Sequence, residues 1–242
     1  MTSHSRTGGA ILAAGMLALS SCSNDPTAPQ YDPEIPAAWA AAVTNQFYPL
    51  TPGTTYQYSG ETPEGTETIT IEVLDRTRTI SGVVATVVRD RAFLDGELIE
   101  DTEDWFAQDQ EGNVWYLGED TKEYEGGQVV STAGSWEWGV DDALPGIIMW
   151  ADPSAHLNEE YRQEFYPGEA EDLAKVIATD QSLTVPHGSF TGCIRTEDRS
   201  ALEPALLEHK TYCPGLGLTL EEKVQGDEGL VELIDVTTVT QP

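Results

Sequence analysis

Thr66-Glu67-Thr68-Ile69-Thr70-Ile71-Glu72-Val73 is the stretch on which the fold turns. Apolar and polar side chains alternate through it, and six of its eight residues are β-branched. A period of two marks a strand with one face buried. Val83 to Val88 is a more continuous apolar run, as a strand covered on both faces would be. In Ala92-Phe93-Leu94-Asp95-Gly96-Glu97-Leu98-Ile99, an Asp-Gly pair stands between apolar runs. That pair tolerates the positive φ angles of a two-residue hairpin turn.

Working outward, the pattern repeats. Trp105-Phe106-Ala107 and Val114-Trp115-Tyr116-Leu117 flank the turn Asp109-Gln110-Glu111-Gly112-Asn113. Lys122-Glu123-Tyr124 and Gln128-Val129-Val130 flank Gly126-Gly127. An irregular aromatic region follows, Ser135-Trp136-Glu137-Trp138-Gly139 and then Leu144 to Trp150, with Pro145-Gly146 read as a turn. Strands are expected again at 161–165, 173–179, 183–185, 190–196, 207–212, 218–224 and 230–236, with a short helix over 169–177 as an alternative. The fold class is therefore mainly β: a single curved antiparallel meander or open barrel. Pro36 suits the first position of a short leading helix over 37–44, with Trp39 and Val43 on one side.

Residues 1–21 have the form of a signal peptide. Arg6 precedes the apolar stretch Ala10 to Leu19, which is too short to span a bilayer as a mature helix. The stretch ends in Leu19-Ser20-Ser21-Cys22, which resembles the lipobox of bacterial lipoproteins. That resemblance implies a diacylglycerol on the Cys22 sulfur, cleavage before Cys22, and acylation of the new amine, with palmitate the expected chain. One acyl chain holds only marginally and several hold durably. By resemblance to Gram-negative lipoproteins, Ser23 after the cysteine implies transit to the outer membrane, so the expectation is an exported protein on its periplasmic face or on the cell surface. Residues 22–35 carry Pro26, Pro29 and Pro33 among small polar residues and read as a flexible tether. Residues 36–242 are then one β-domain with its leading helix.

The chain has 42 acidic against 12 basic residues, a formal charge of −30. Phosphate recognition needs a basic patch, so nucleic acid is an unsuitable partner. A basic protein partner or cations would suit this surface, and solubility alone accounts for it too.

With Cys22 lipidated, Cys193 and Cys213 remain. If 189–197 and 206–213 pair as a hairpin centred near Glu203, these two fall opposite each other, and an exported compartment permits the disulfide. A redox role lacks the Cys-x-x-Cys spacing.

A second resemblance rests on Phe47-Tyr48-Pro49-Leu50 with Gly53 and Tyr56, and on Tyr212-Cys213-Pro214-Gly215-Leu216-Gly217. The chain over about 47–236 resembles a family of secreted bacterial β-domains, often lipoproteins, mostly uncharacterised. It implies a strongly curved sheet like that of the LolA/LolB carriers, an analogy of architecture.

Catalytic motifs are missing. Gly188-Ser189-Phe190-Thr191-Gly192 has its serine one place too early for a nucleophile elbow. His156, His187 and His209 lack zinc-ligand spacing. Asp101, Glu103 and Asp104 with Glu119 and Asp120 flank one expected hairpin and are the candidate cation cluster, calcium being the ion. Trp105, Trp115, Tyr116, Trp136 and Trp138 are the candidate ligand or partner surface, with core packing the plainer reading of them. The sequence thus points to an exported, membrane-anchored lipoprotein that binds a small apolar ligand or a partner. An interaction subunit of an envelope complex and a carboxylate-dependent hydrolase are the alternatives.

Overall fold

The computed structural model describes residues 31–226 and 229–239. The signal peptide, Cys22 and residues 23–30 of the expected tether lie outside the described residues. Among these residues fifteen strands form one antiparallel sheet. They are β1 (Thr54–Thr62), β2 (Gly65–Ile80), β3 (Val83–Leu94), β4 (Glu97–Gln108), β5 (Val114–Glu125), β6 (Gln128–Ser131), β7 (Trp136–Glu137) and β8 (Leu144–Met149). After a 3-10 turn at Pro153–His156 come β9 (Glu160–Arg162), β10 (Glu164–Phe165), β11 (Asp172–Val185), β12 (Gly188–Ser200), β13 (Leu207–Cys213), β14 (Gly217–Gln225) and β15 (Gly229–Thr238).

Neighbours in sequence are mostly neighbours in space, as expected of a meander. The order runs β10-β8-β5-β4-β3-β2-β1-β15-β14-β13-β12-β11-β9. Pairing of β1 with β15 joins the two halves of the chain, and the sheet curls into a nearly closed barrel with one seam. At the seam, β8 and β10 face β9 and β11. The Gln163 N–H donates to the Asp172 carbonyl at 2.9 Å across it. Gly146 lets the chains meet there: a Cβ on it would stand 2.4 Å from the Gln163 carbonyl carbon.

Two layers of apolar side chains follow from the period of two. Ile69, Val73, Val88, Phe106, Tyr116 and Leu233 point inward and fill the barrel. Ala85, Val87, Trp105, Trp115 and Leu117 point outward on β3–β5 and form a second cluster, covered by Trp39 and Trp138. Val87 and Val88 are buried on opposite faces of β3, but Val84 is 59% exposed, so the expectation of a strand covered on both faces holds for only part of Val83–Val88.

Three expectations are corrected. Residues 37–44 are not a helix. Trp39 bridges to Asp109, and the Ala40 N–H donates to the Gln108 carbonyl at 2.8 Å. Eight residues are too few for a helix to hold itself in water, and docking on the β4 edge wins. Pro145-Gly146 is not a turn but lies within β8, beside the short edge strand β10 where a missing N–H costs little. The alternative helix over 169–177 gives way to β11. The chain is already against the barrel at Tyr31, whose hydroxyl donates to the Pro145 carbonyl at 2.9 Å.

The cysteines pair as the hairpin register requires. Ile194 lies opposite Tyr212, so Cys193 meets Cys213, and the two form a buried disulfide.

Candidate functional site

The inward-facing residues of the strands change character along the barrel. Toward the end that carries the β1–β2 and β3–β4 turns, Val88 gives way to Asp90, Phe106 to Asp104, and Tyr116 to Glu119. On the opposite wall Ile194 gives way to Asp198, and Tyr212 to Lys210 and Glu208. Ile69 likewise follows Glu67 on β2. The lumen therefore has an apolar, aromatic half and an acidic half. The apolar end is closed by the segment 43–50. There Val43, Phe47 and Leu50 are buried, and the Gln108 side-chain oxygen accepts the Thr44 and Asn45 N–H groups at 2.7 and 2.8 Å.

Carboxylates taken out of water hold their protons. Burial pushes Asp104 up to about 7, although the Tyr116 hydroxyl pulls the other way. Burial takes Glu67 to about 7 and, with Asp90 and Glu119 adding to it, Glu100 to about 9. Asp90, Glu119 and Glu164 are raised well above the usual carboxylate range, again chiefly by burial.

Tyr116 ties the acidic half to the aromatic half. Its hydroxyl lies 2.6 Å from Asp104 Oδ1 and 2.7 Å from Glu119 Oε2. One phenolic proton cannot serve two carboxylates, so a carboxyl proton fills one of these contacts. Trp136 Nε1 donates to Glu164 Oε2 at 2.7 Å. Lys210 is the cation of this interior, with Nζ 3.5 Å from Glu208, 3.8 Å from Asp198 and 3.8 Å from Glu221. Burial alone would strip its proton, but these carboxylates outweigh burial and raise it well above the ordinary lysine value.

Where the two halves meet there is a cavity. Its volume, counted as space open to the centre of a water molecule, is about 90 Å³. That is room for roughly half a dozen waters or one small organic molecule. Tyr48, Tyr56, Tyr58, Tyr116, Tyr212 and Phe106 line it, together with Asp90, Asp104 and Lys210. The Tyr56 and Tyr58 hydroxyls donate to the Pro49 and Leu218 carbonyls at 3.3 and 3.0 Å. Asp90 is 9% exposed and its carboxyl has no hydrogen-bond partner among the described residues.

The candidates from the sequence are dispersed by the pleat. Asp101, Glu103 and Asp120 face outward and pair with Arg89, Arg76 and Lys122, while Asp104 and Glu119 face inward onto Tyr116. Among the described residues no group of three or more His, Cys, Asp or Glu side chains is placed to hold a metal ion. Of the aromatic set, Tyr116 lines the cavity and Trp136 packs beside it in the interior. Trp105 and Trp115 are buried in the outer cluster, and Trp138 packs between the clusters against Trp39. Sequence reasoning does not find Asp90, Lys210 and the tyrosines at 48, 56, 58 and 212 as a site. Asp90 between Arg89 and Arg91 reads as one more surface charge, and only its even parity with Val88 and Ala92 hints otherwise.

Asp109 is committed to the turn over residues 109–113. It accepts the Glu111 and Asn113 N–H groups, both at 2.9 Å, and Trp115 Nε1 at 3.0 Å.

Fold and cavity together define a single-chain, nearly closed antiparallel β-barrel with an acidic interior. No protein-family model and no curated protein matches the chain. Two solved structures are similar to it. One is a presumed exported protein with a YmcC-like fold from Bacteroides fragilis, at 14% identity and a TM-score of 0.44, covering 80% of this chain and 100% of that one. The other is a presumed lipoprotein from Parabacteroides distasonis, at 15% identity and a TM-score of 0.41, covering 80% of this chain and 99% of that one.

Proposed function

We propose that the chain is an exported lipoprotein, anchored through an acylated Cys22, whose barrel takes up a small ligand in its interior cavity. The observation that carries the binding role is the cavity itself. A core packed for stability alone would bring Asp90 a partner or replace it with an apolar residue, since an unpaired buried polar group costs about 1–3 kcal/mol. Here Asp90 faces open space among tyrosines, with the polar groups few and convergent as ligand pockets have them. Asp104 and Glu119 are both engaged by Tyr116, so binding suits the cavity better than carboxylate-based hydrolysis. The lipobox and the Pro-rich segment after it support the anchor and the tether.

Native mass spectrometry of the chain extracted from membranes tests both parts. The mature mass should begin at a triacylated Cys22, and the folded protein should carry a small-molecule adduct. Val88→Trp fills the cavity from β3 and should abolish the adduct while the β-sheet spectrum by circular dichroism persists. An unmodified N-terminus elsewhere would refute the anchor. A folded chain without any adduct, and with the same ligand-screening profile as Val88→Trp, would refute the binding role.

A further inference from the structure

Resting on that binding role, we propose that the ligand is a small organic cation: an ammonium group on an apolar or aromatic body, with the ammonium seated against Asp90. The Asp90 carboxyl lies on the cavity wall without a hydrogen-bond partner among the described residues, and more than nine-tenths of the residue is buried. Its chain neighbours cannot neutralise it. Arg89 and Arg91 point to the outer face, where they pair with Asp101 and Glu72 at 2.6 Å each. Lys210, the basic residue on the cavity wall, is already shared among Asp198, Glu208 and Glu221.

The rest of the lumen asks for positive charge as well. Glu67 Oε1 and Glu164 Oε1 are buried without a hydrogen-bond partner among the described residues, while Asp198 and Glu221 have only the shared Lys210 as a cation. An anion entering here would hold the buried carboxyls in their neutral form and leave Asp90 without a counter-charge, and a neutral molecule with neither donor nor acceptor would leave it unpaired. A bare metal ion is poorly served, because three carboxylates do not converge among the described residues and most of the wall is aromatic or aliphatic. Aromatic faces do suit an ammonium, which is drawn to their negative quadrupole. The Tyr48 and Tyr212 hydroxyls, with no hydrogen-bond partner among the described residues, complete the lining around Asp90.

Binding a cation should expel a proton. With no cation beside it, burial raises the Asp90 carboxyl well above the usual carboxylate range and so favours its neutral form; Asp104, Glu67 and Asp101 add to the effect while Lys210 opposes it. An ammonium replaces that proton, so affinity should rise with pH.

The experiment is titration calorimetry on the whole detergent-solubilised chain with three probes: 2-phenylethylamine, neutral 2-phenylethanol and anionic 3-phenylpropionate. The amine should bind at least tenfold more tightly than the alcohol, and the carboxylate should give no binding heat. Comparing two buffers of different ionisation enthalpy at pH 7 should show release of up to one proton per amine. Asp90→Asn, confirmed as folded by its melting profile, should weaken the amine at least tenfold and abolish the proton release. If that variant does not fold, the amine-to-alcohol ratio and the proton count on the native chain decide. Equal binding of the alcohol or the carboxylate, absence of proton release, or unchanged amine affinity in folded Asp90→Asn overturns the cation assignment and leaves a binding cavity. Failure of all three probes, together with absence of an adduct on the membrane-extracted chain, overturns the binding role and the cation assignment together.

Discussion

At the residue scale, single inward side chains hold the acidic half of the barrel together. Tyr116 shares two carboxyl groups, so Tyr116→Phe leaves Asp104 and Glu119 facing each other without a bridging hydroxyl. The expected loss is about 1–3 kcal/mol in urea unfolding at pH 8. It should shrink near pH 5, where both carboxyls keep protons. Lys210→Met removes the one cation shared by Asp198, Glu208 and Glu221. Breaking a buried pair from one side costs about 3–5 kcal/mol, and a melting experiment at neutral pH would show it. An undiminished Lys210→Met protein would mean that those carboxyls are uncharged with or without the lysine. Reducing the Cys193–Cys213 bridge should cost about 2–4 kcal/mol, read as a lower melting temperature with dithiothreitol. The pairing of these two cysteines was legible in the sequence because a hairpin's register is set by where its turn falls. The surroundings of Asp90 and Lys210 were not legible, because they come from strands far apart in the chain.

At the scale of elements, the meander is built from local signals and closed by non-local ones. Asp95-Gly96 and Gly126-Gly127 turn the chain where their dipeptides say they should. The segment 37–50 behaves otherwise. Its alanines favour a helix, yet Trp39 sits 6.0 Å from Trp115 and 6.4 Å from Trp138, ring centre to ring centre. An extended chain reaches both of these rings and the β4 edge together. Asn45 then anchors the plug, donating to the Gly112 and Trp150 carbonyls at 2.9 and 3.0 Å and accepting the Phe47 N–H at 2.8 Å. Asn45→Ala should detach the segment before the barrel unfolds. Hydrogen exchange would report it as early exchange at 43–50 with the amides of β2–β4 still protected. Uniform loss of protection would instead make the plug an inseparable part of the barrel. Gly118 gives β7 its place on the sheet. Its φ is +135°, and a Cβ there would stand 2.3 Å from the Trp136 carbonyl oxygen, so β7 crosses β5 only over a bare backbone.

For the whole molecule, the buried carboxyls reverse the usual pH dependence. Their folded values lie above the unfolded ones: about 7 for Glu67, 9 for Glu100 and 8 for Glu221. The folded state therefore binds protons more strongly than the unfolded chain. Stability is fully present below the unfolded carboxylate range and is lost as pH rises from about 4.5 through these folded values. Where the folded and unfolded pKa of a group differ by one, stability changes by about 1.4 kcal/mol, which is large beside the marginal stability of a domain. The melting temperature should fall steadily from about pH 5 toward pH 9. A plateau from pH 6 to 8 would show that the lumen is hydrated and its carboxyls ordinary. The basic residues are arranged more conventionally: among the described residues each Lys and Arg except Lys223 lies within ion-pair distance of a carboxylate.

By itself the sequence determined the β class, the antiparallel meander, most of the turn positions, the disulfide and the expectation of an anchored N-terminus. Each is a local matter of period, turn chemistry or a short motif. Only the tertiary structure decided which carboxylates are inside. In a chain with 42 acidic residues, alternation places about half of them on each face of a strand, and curvature decides which face is enclosed. Pairing of β1 with β15, and the curl that brings β8 and β10 to β9 and β11, turned one face of the meander into a lumen, and with it Asp90 from an apparent surface charge into an unpartnered group, among the described residues, of a tyrosine-lined cavity.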